Sequence, residues 1–163
     1  MKVADPLTPR LALRLFGPFE ARVGDNALPP LRTRRGEWLL ALLALRPGQE
    51  GERGWLAGTL WPESGEAQAL TNLRVSLTDL RHALGAAAGC LRAPSPRRLA
   101  LDLAVVDVDL LTFDAAITRG DAGSLRHAVD LYRGPLLEGC AEAWAFQERQ
   151  ARGTAGHGAD RRR

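Results

Sequence analysis

Thr71, Arg74, Val75, Thr78 and His82 fall on one side of a helix at roughly 100° per residue, and their types suit one kind of chemistry. Arginine carries a planar fork of donors that matches guanine or a phosphate, while threonine and valine offer small groups to thymine methyls and backbone. The face is therefore a candidate reader of duplex DNA. Arg74 and Arg81 would take guanine or phosphate, Thr71, Val75 and Thr78 would touch methyls or backbone, and His82 would meet a phosphate. Plainer readings stand beside each of these. An ordinary surface helix with a core stripe has the same periodicity. Arg74 can pair with Glu66 or Asp79, Arg81 sits nearer the leucines and can pair internally, and His82 is equally a solvated ring.

Other chemistry finds little support. GxxxxGK[ST], HExxH, GxSxG and CxxC are all absent from the sequence. Cys90, Cys140, His82, His127 and His157 show no metal-ligand spacing, and the two cysteines are too few for a disulfide framework. No catalytic residue, no metal and no cofactor is expected.

The opposite face of the same helix explains how the candidate reader would be held. Leu70, Leu73, Leu77, Leu80 and Leu84 form an apolar stripe, Gly85 stands where a left-handed cap belongs, and Ser64 or its neighbours can cap the start. Upstream, Leu11, Leu13 and Leu15 alternate at period two before turn residues Gly24, Asp25 and Asn26, which predicts a strand pair or small meander. Thr33 can cap a helix to about Leu45, stopped by Pro47 and Gly48, and a short helix from about Arg53 to Trp61 ends before Pro62. Trp55, Leu56 and Leu60 are its apolar anchors, and Trp38, Trp55 and Trp61 are read as core or near-core. Downstream, Leu99, Leu101 and Leu103 alternate, and Ser95, Pro96, Arg97 and Arg98 sit at a bend, so a hairpin with arginines at its tip follows. Arg97 and Arg98 at that tip, with Arg32, Arg34 and Arg35 before the first helix, are candidate phosphate contacts, although a basic loop is often only soluble surface.

Charge follows the same division. Of the 22 basic residues only Lys2 is not arginine, and residues 1–98 carry a net +5 whereas 99–152 carry −4. A polyanion partner is expected for the front half and not the back. Beyond Val105 the pattern is helical: Asp107 or Asp109 caps a helix through Leu110, Phe113 and Ile117, residues 120–123 break it, and Ser124 caps another with Leu125, Ala128, Val129 and Tyr132 at helical spacing. Trp144 to Arg152 starts a further helix in which Trp144 packs. No signal-peptide core and no apolar run of about 18 residues occurs, so neither secretion nor a membrane partner is expected and the cytoplasm is.

In that order, LRLFGPFEARVGDNALPPLRTRRGEWLLALLALRPG, LAGTLWPES and ALTNLRVSLTDLRHALG resemble the OmpR-type DNA-binding domain of SARP-type bacterial transcriptional activators. VDVDLLTFDAAITRGD, AVDLYRGPLLEG and EAWAFQERQAR resemble the opening of the bacterial transcriptional activator domain that follows it in that family. The resemblance implies an α+β fold: a winged helix-turn-helix with N-terminal antiparallel strands and a C-terminal wing hairpin, followed by an all-α tetratricopeptide-like fragment. It covers about residues 11–152, with the winged-helix domain over 11–104 and a partial helical domain over 105–152; the residues on either side, with Pro6 and Pro9 in 1–10 and nothing apolar beyond alanine in 153–163, read as disordered tails. It gives Leu70 to Leu84 the recognition role and Arg92 to Leu103 the wing, so that Arg92 joins the DNA-contacting set. It makes Trp61, Pro62, Glu63, Ser64, Gly65 and Glu66 a polymerase-facing loop. The implied partners are double-stranded DNA, RNA polymerase and a second copy of the chain on DNA. Two departures stand out: Asp79 lies where the family often has a basic or neutral residue, and the further helix pairs of the family's second domain are missing. An alternative follows from these departures, in which the acidic helices form a protein-interaction module or antagonist and DNA contacts are vestigial.

Overall fold

The computed structural model describes residues 9–160, with side chains described through 152. It is a mixed α+β chain, a winged helix followed by a helical part, and the described residues divide into two compact units: 9–13 with 20–108, and 14–19 with 109–160.

In the first unit, alternation of Leu11 and Leu13 inward and polar residues outward makes β1 (Leu11–Arg14), which joins β2 (Glu20–Val23) and β3 (Asn26–Ala27) in one sheet. The sheet has a fourth strand that the sequence pattern does not suggest. β7 (Val106–Val108) pairs parallel to β1, with Leu11 opposite Val106 and Leu13 opposite Val108. The expected antiparallel meander is thus completed by a parallel strand more than ninety residues later in the chain. Arg10, at the end of the expected N-terminal tail, is fastened: its guanidinium binds Asp107 at 2.8 Å and donates to the Ala104 carbonyl. The rest of that tail, residues 1–8, lies outside the described residues.

Three helices carry the core of this unit. α1 (Arg34–Leu45) buries Trp38, Leu39, Leu40, Leu42 and Leu43; α2 (Arg53–Leu60) buries Leu56 and Leu60; α3 (Glu66–Leu84) buries Leu73, Leu77, Leu80 and Leu84. The α3 leucines repeat every three or four residues, so one stripe faces α1 and α2 and the remainder of the surface is left to solvent. Gly85 ends the helix at φ +55°, a conformation that costs glycine nothing. At the start Gly65, the neighbour of Ser64, occupies the cap without a side-chain bond, and Ser64 belongs to the preceding turn, where its N–H donates to the Trp61 carbonyl. Trp55 also departs from its expected core place. It is 43% exposed because it lies about 100° round α2 from Leu56, and Arg46 covers its ring at 4.2 Å.

The hairpin forms as β5 (Leu91–Ser95) and β6 (Arg98–Leu101), antiparallel with an irregularity between Arg92 and Ser95. A third strand, β4 (Glu50–Glu52), pairs with β6 and anchors the hairpin to the start of α2. Leu103 is not part of the arm: β6 stops at Leu101, Asp102 turns back through its N–H to the Cys90 carbonyl, and Leu103 is exposed.

The second unit holds α4 (Asp109–Arg119), α5 (Ala122–Leu131) and α6 (Ala143–Asp160). The Asp109 carboxylate accepts the N–H groups of Leu15 and Phe16, and Asp121 rather than Ser124 caps α5, taking the Ser124 N–H at 3.0 Å and its hydroxyl at 2.6 Å. Serine three residues into the helix is the second member of the cap, not the first. The α6 backbone continues through residues 153–160, expected as a disordered tail, since a nucleated helix extends one hydrogen bond at a time; residues 161–163 lie outside the described residues. None of the described helices is long and apolar enough to cross a membrane.

Residues 14–19, expected in the DNA-binding domain, group with these helices instead. Gly17 donates to the Pro135 carbonyl at 2.9 Å, Leu137 to Leu15 at 2.7 Å, and Glu138 to Gly17 at 3.0 Å. The FGP and RGP segments therefore lie against one another. A Cβ on Gly134, whose φ is +154°, would stand 3.3 Å from the Gly17 Cα and 3.0 Å from the Glu138 carboxylate. Gly134→Ala is expected to destabilise this unit by about 1–3 kcal/mol, read as an earlier urea midpoint; an unchanged midpoint would mean that the close approach of the two glycines is dispensable.

Candidate nucleic-acid interface

The outer face of α3 is built from what the leucine stripe leaves over. Thr71, Arg74, Val75, Thr78, Arg81 and His82 are all exposed, Val75 by 53%. Arg74 and Arg81 are seven residues apart, two turns along one edge of that face. Neither guanidinium has a hydrogen-bond or ion-pair partner among the described residues, so Arg81 does not pair internally as its position by the stripe suggested, and Arg74 pairs with neither Glu66 nor Asp79. The two threonine hydroxyls donate backwards, Thr71 to the Ala67 carbonyl at 3.0 Å and Thr78 to the Arg74 carbonyl at 3.2 Å. That occupies their hydrogens and leaves their methyls and oxygen lone pairs available.

Asp79, the residue that would repel phosphate, has a structural task. Its carboxylate accepts the Arg32 backbone N–H at 2.9 Å and so holds the segment before α1 against the edge of α3. Arg32 is thereby brought beside the outer face of α3 with its side chain exposed. Arg34 is also exposed and stacks over Trp38 at 5.2 Å.

The remaining basic candidates divide. Arg35 is ion-paired to Glu63, and the guanidinium holds the Glu63 carboxyl below its usual range. Arg92 pairs with Asp102 at 2.7 Å and Arg98 pairs with Glu50. These three arginines fasten the α2–α3 loop and the hairpin to their own unit, a use that sequence spacing could not show because the acids lie 10 to 48 residues away. Arg97 at the hairpin tip is exposed, and its carbonyl accepts the Arg53 N–H at 2.8 Å. Arg53, absent from the candidates read in the sequence, is thus seated next to the tip, with a buried Nε that has no hydrogen-bond partner. Its only signal was its place at the start of the second helix.

In the α2–α3 loop, Pro62, Glu63, Gly65 and Glu66 are exposed and Ser64 is half-buried. Trp61 is buried, at 6% exposure, and cannot present its ring outward. As the residue ending α2 it sits on the core side of that helix, one position after Leu60.

No protein-family model matches the chain, and no curated protein matches it. Among solved structures it is similar to EmbR of Mycobacterium tuberculosis in complex with a low-affinity phosphopeptide, with a TM-score of 0.71 and 24% sequence identity over 88% of this chain and 41% of that one. The chain therefore spans less than half of that protein's length. At this identity the likeness shows the fold, a winged helix followed by helices.

Proposed function

We propose, from this SARP-like fold, that the protein is a sequence-specific regulator of transcription that binds repeated promoter elements in double-stranded DNA and acts as an activator. The observation that carries the reading is the outer face of α3: two exposed arginines without partners among the described residues, flanked by short side chains, on a helix whose other face is fixed in the core. A helix held in that way can enter a major groove and offer Arg74 and Arg81 to guanine edges or phosphates, Thr71, Val75 and Thr78 to thymine methyls and backbone, and His82 to a phosphate. The hairpin serves as the wing, with Arg97 reaching flanking backbone, and Arg32 and Arg34 add phosphate contacts. Arg35, Arg92 and Arg98 position the surface through their carboxylates. The exposed loop Pro62 to Glu66 faces RNA polymerase. The winged-helix unit thus carries the DNA contacts and the acidic helices carry protein contacts, in a bacterial cytoplasm.

Capture of genomic DNA fragments on the purified chain at several salt concentrations tests this. Among the described residues five candidate arginines stay out of ion pairs, Arg32, Arg34, Arg74, Arg81 and Arg97. With about four to six phosphates neutralised, log K should fall against log salt with a slope of about −4 to −5. Enrichment of a repeated motif with that slope is the expected result. Unselective retention, or none, would end the reading.

Asp79→Asn separates the two effects of that carboxylate. The amide oxygen can still accept the Arg32 N–H, while a negative charge leaves the edge of the reading face. Removing one repulsion of roughly 0.5 kcal/mol across several ångströms of water should tighten binding about two- to threefold. Unchanged or weaker binding in a titration at low salt would place phosphate far from this edge.

A further inference from the structure

α5 leaves its apolar stripe uncovered. Leu125 is 38% exposed, Val129 72% and Tyr132 53%, although the sequence gives them the spacing of core residues. Only Ala128 of this helix is buried. On a helix of 3.6 residues per turn the three exposed residues fall within a sector of about 60°. One flank of that sector carries Arg126 and Asp130, both exposed and neither with an ion-pair partner among the described residues. They are four residues apart with the cation first, the weaker order for a pair within one helix. Other charges near the stripe are engaged: Asp121 holds the Ser124 amide and hydroxyl, and Arg133 donates to the Phe16 carbonyl at 3.4 Å. Tyr132 is braced by the Phe16 ring at 5.2 Å, so its exposed part is a supported surface and not a free side chain.

We propose that this face binds a second copy of the chain, with the two α5 helices antiparallel about a two-fold axis near residues 128 and 129. Antiparallel pairing places like flanks together, and a single register, to within one residue, brings the groups on the face together in pairs. Leu125 comes opposite Tyr132 of the other copy, Val129 opposite Val129, and Arg126 opposite Asp130, twice over by symmetry. A two-fold contact requires a surface complementary to itself, and this arrangement of charge about a central valine is one. Parallel pairing would put the Arg126 and Asp130 flank of each copy against the other flank of its partner and leave both charges without an opposite one. Two ten-residue helices give an interface at the small end of the range for specific complexes, so the dimer is a weak one with Kd on the order of tens of micromolar.

The inference does not rest on DNA binding, and its test uses no DNA. Sedimentation of the full chain between about 5 and 500 µM should show reversible monomer–dimer exchange. Val129→Arg, at a position too exposed to matter for folding, should leave a monomer throughout with an unchanged circular dichroism spectrum. Asp130→Arg should weaken the dimer at least tenfold, and adding Arg126→Asp to the same chain should restore it to within about threefold. A native monomer across the range, a dimer indifferent to Val129→Arg, or a loss at Asp130 that the exchanged pair does not repair would each overturn the proposal. So would a native monomer that instead captures a different protein through this face.

Discussion

Arg74→Glu is expected to abolish selective DNA retention and leave the fold unchanged. The side chain has no partner among the described residues, and exposed positions of that kind usually change stability by no more than about 0.5 kcal/mol. What is lost lies wholly on the DNA side. A bidentate guanine contact is worth about 1–3 kcal/mol of discrimination, and a carboxylate in its place adds repulsion from nearby phosphates, so affinity should fall roughly a hundredfold or more at low salt. The manner of the fall tells which contact was made. If Arg74 reads guanine, the variant loses preference at one position of the motif; if it holds phosphate, binding weakens alike on all sequences and the salt slope drops by about one. Equal retention by both proteins, measured by fragment capture with the melting curve as control, would remove α3 as the reading helix. The interaction-module alternative would then gain, because it predicts that this substitution does nothing.

How much of this could be read from the sequence depends on how far each feature's cause lies along the chain. The α3 stripe and its outer face were legible because helical periodicity is local: Leu73, Leu77, Leu80 and Leu84 declare the buried side without reference to any other element. The hairpin was legible for the same reason, with period-two leucines around a proline bend. β4 was not, since Glu50–Glu52 has no apolar alternation and becomes a strand only because β6 offers it an edge. Residues 14–19 were misplaced because their alternation matches β1, while their partners lie at 135–138. Within the site, residue type found the arginines but could not sort them. Arg35, Arg92 and Arg98 look as suitable as Arg74 until Glu63, Asp102 and Glu50 arrive beside them through tertiary contacts. The same blindness gave Asp79 only its repulsive role, when its carboxylate holds the Arg32 segment in place.

Leu80→Ala is expected to have the largest effect on stability and to show that folding and DNA reading are separate properties of one helix. Leu80 is fully buried, on the side of α3 away from the exposed Arg74 and Thr78. Its truncation removes transfer energy and leaves a cavity, together about 3–5 kcal/mol. For a unit of this size that lowers the melting temperature by roughly 12 °C or more. Below the new transition the outer face is still presented, so the variant should keep near-native affinity and motif preference in the cold and lose both as it melts. DNA binds only the folded state, so adding the motif should raise the melting temperature of Leu80→Ala; it should do nothing for Arg74→Glu, which is folded but does not bind. If Leu80→Ala instead melted like the native chain, the leucine stripe would not be the core face, and with it would go the argument that the opposite face is held out toward a groove.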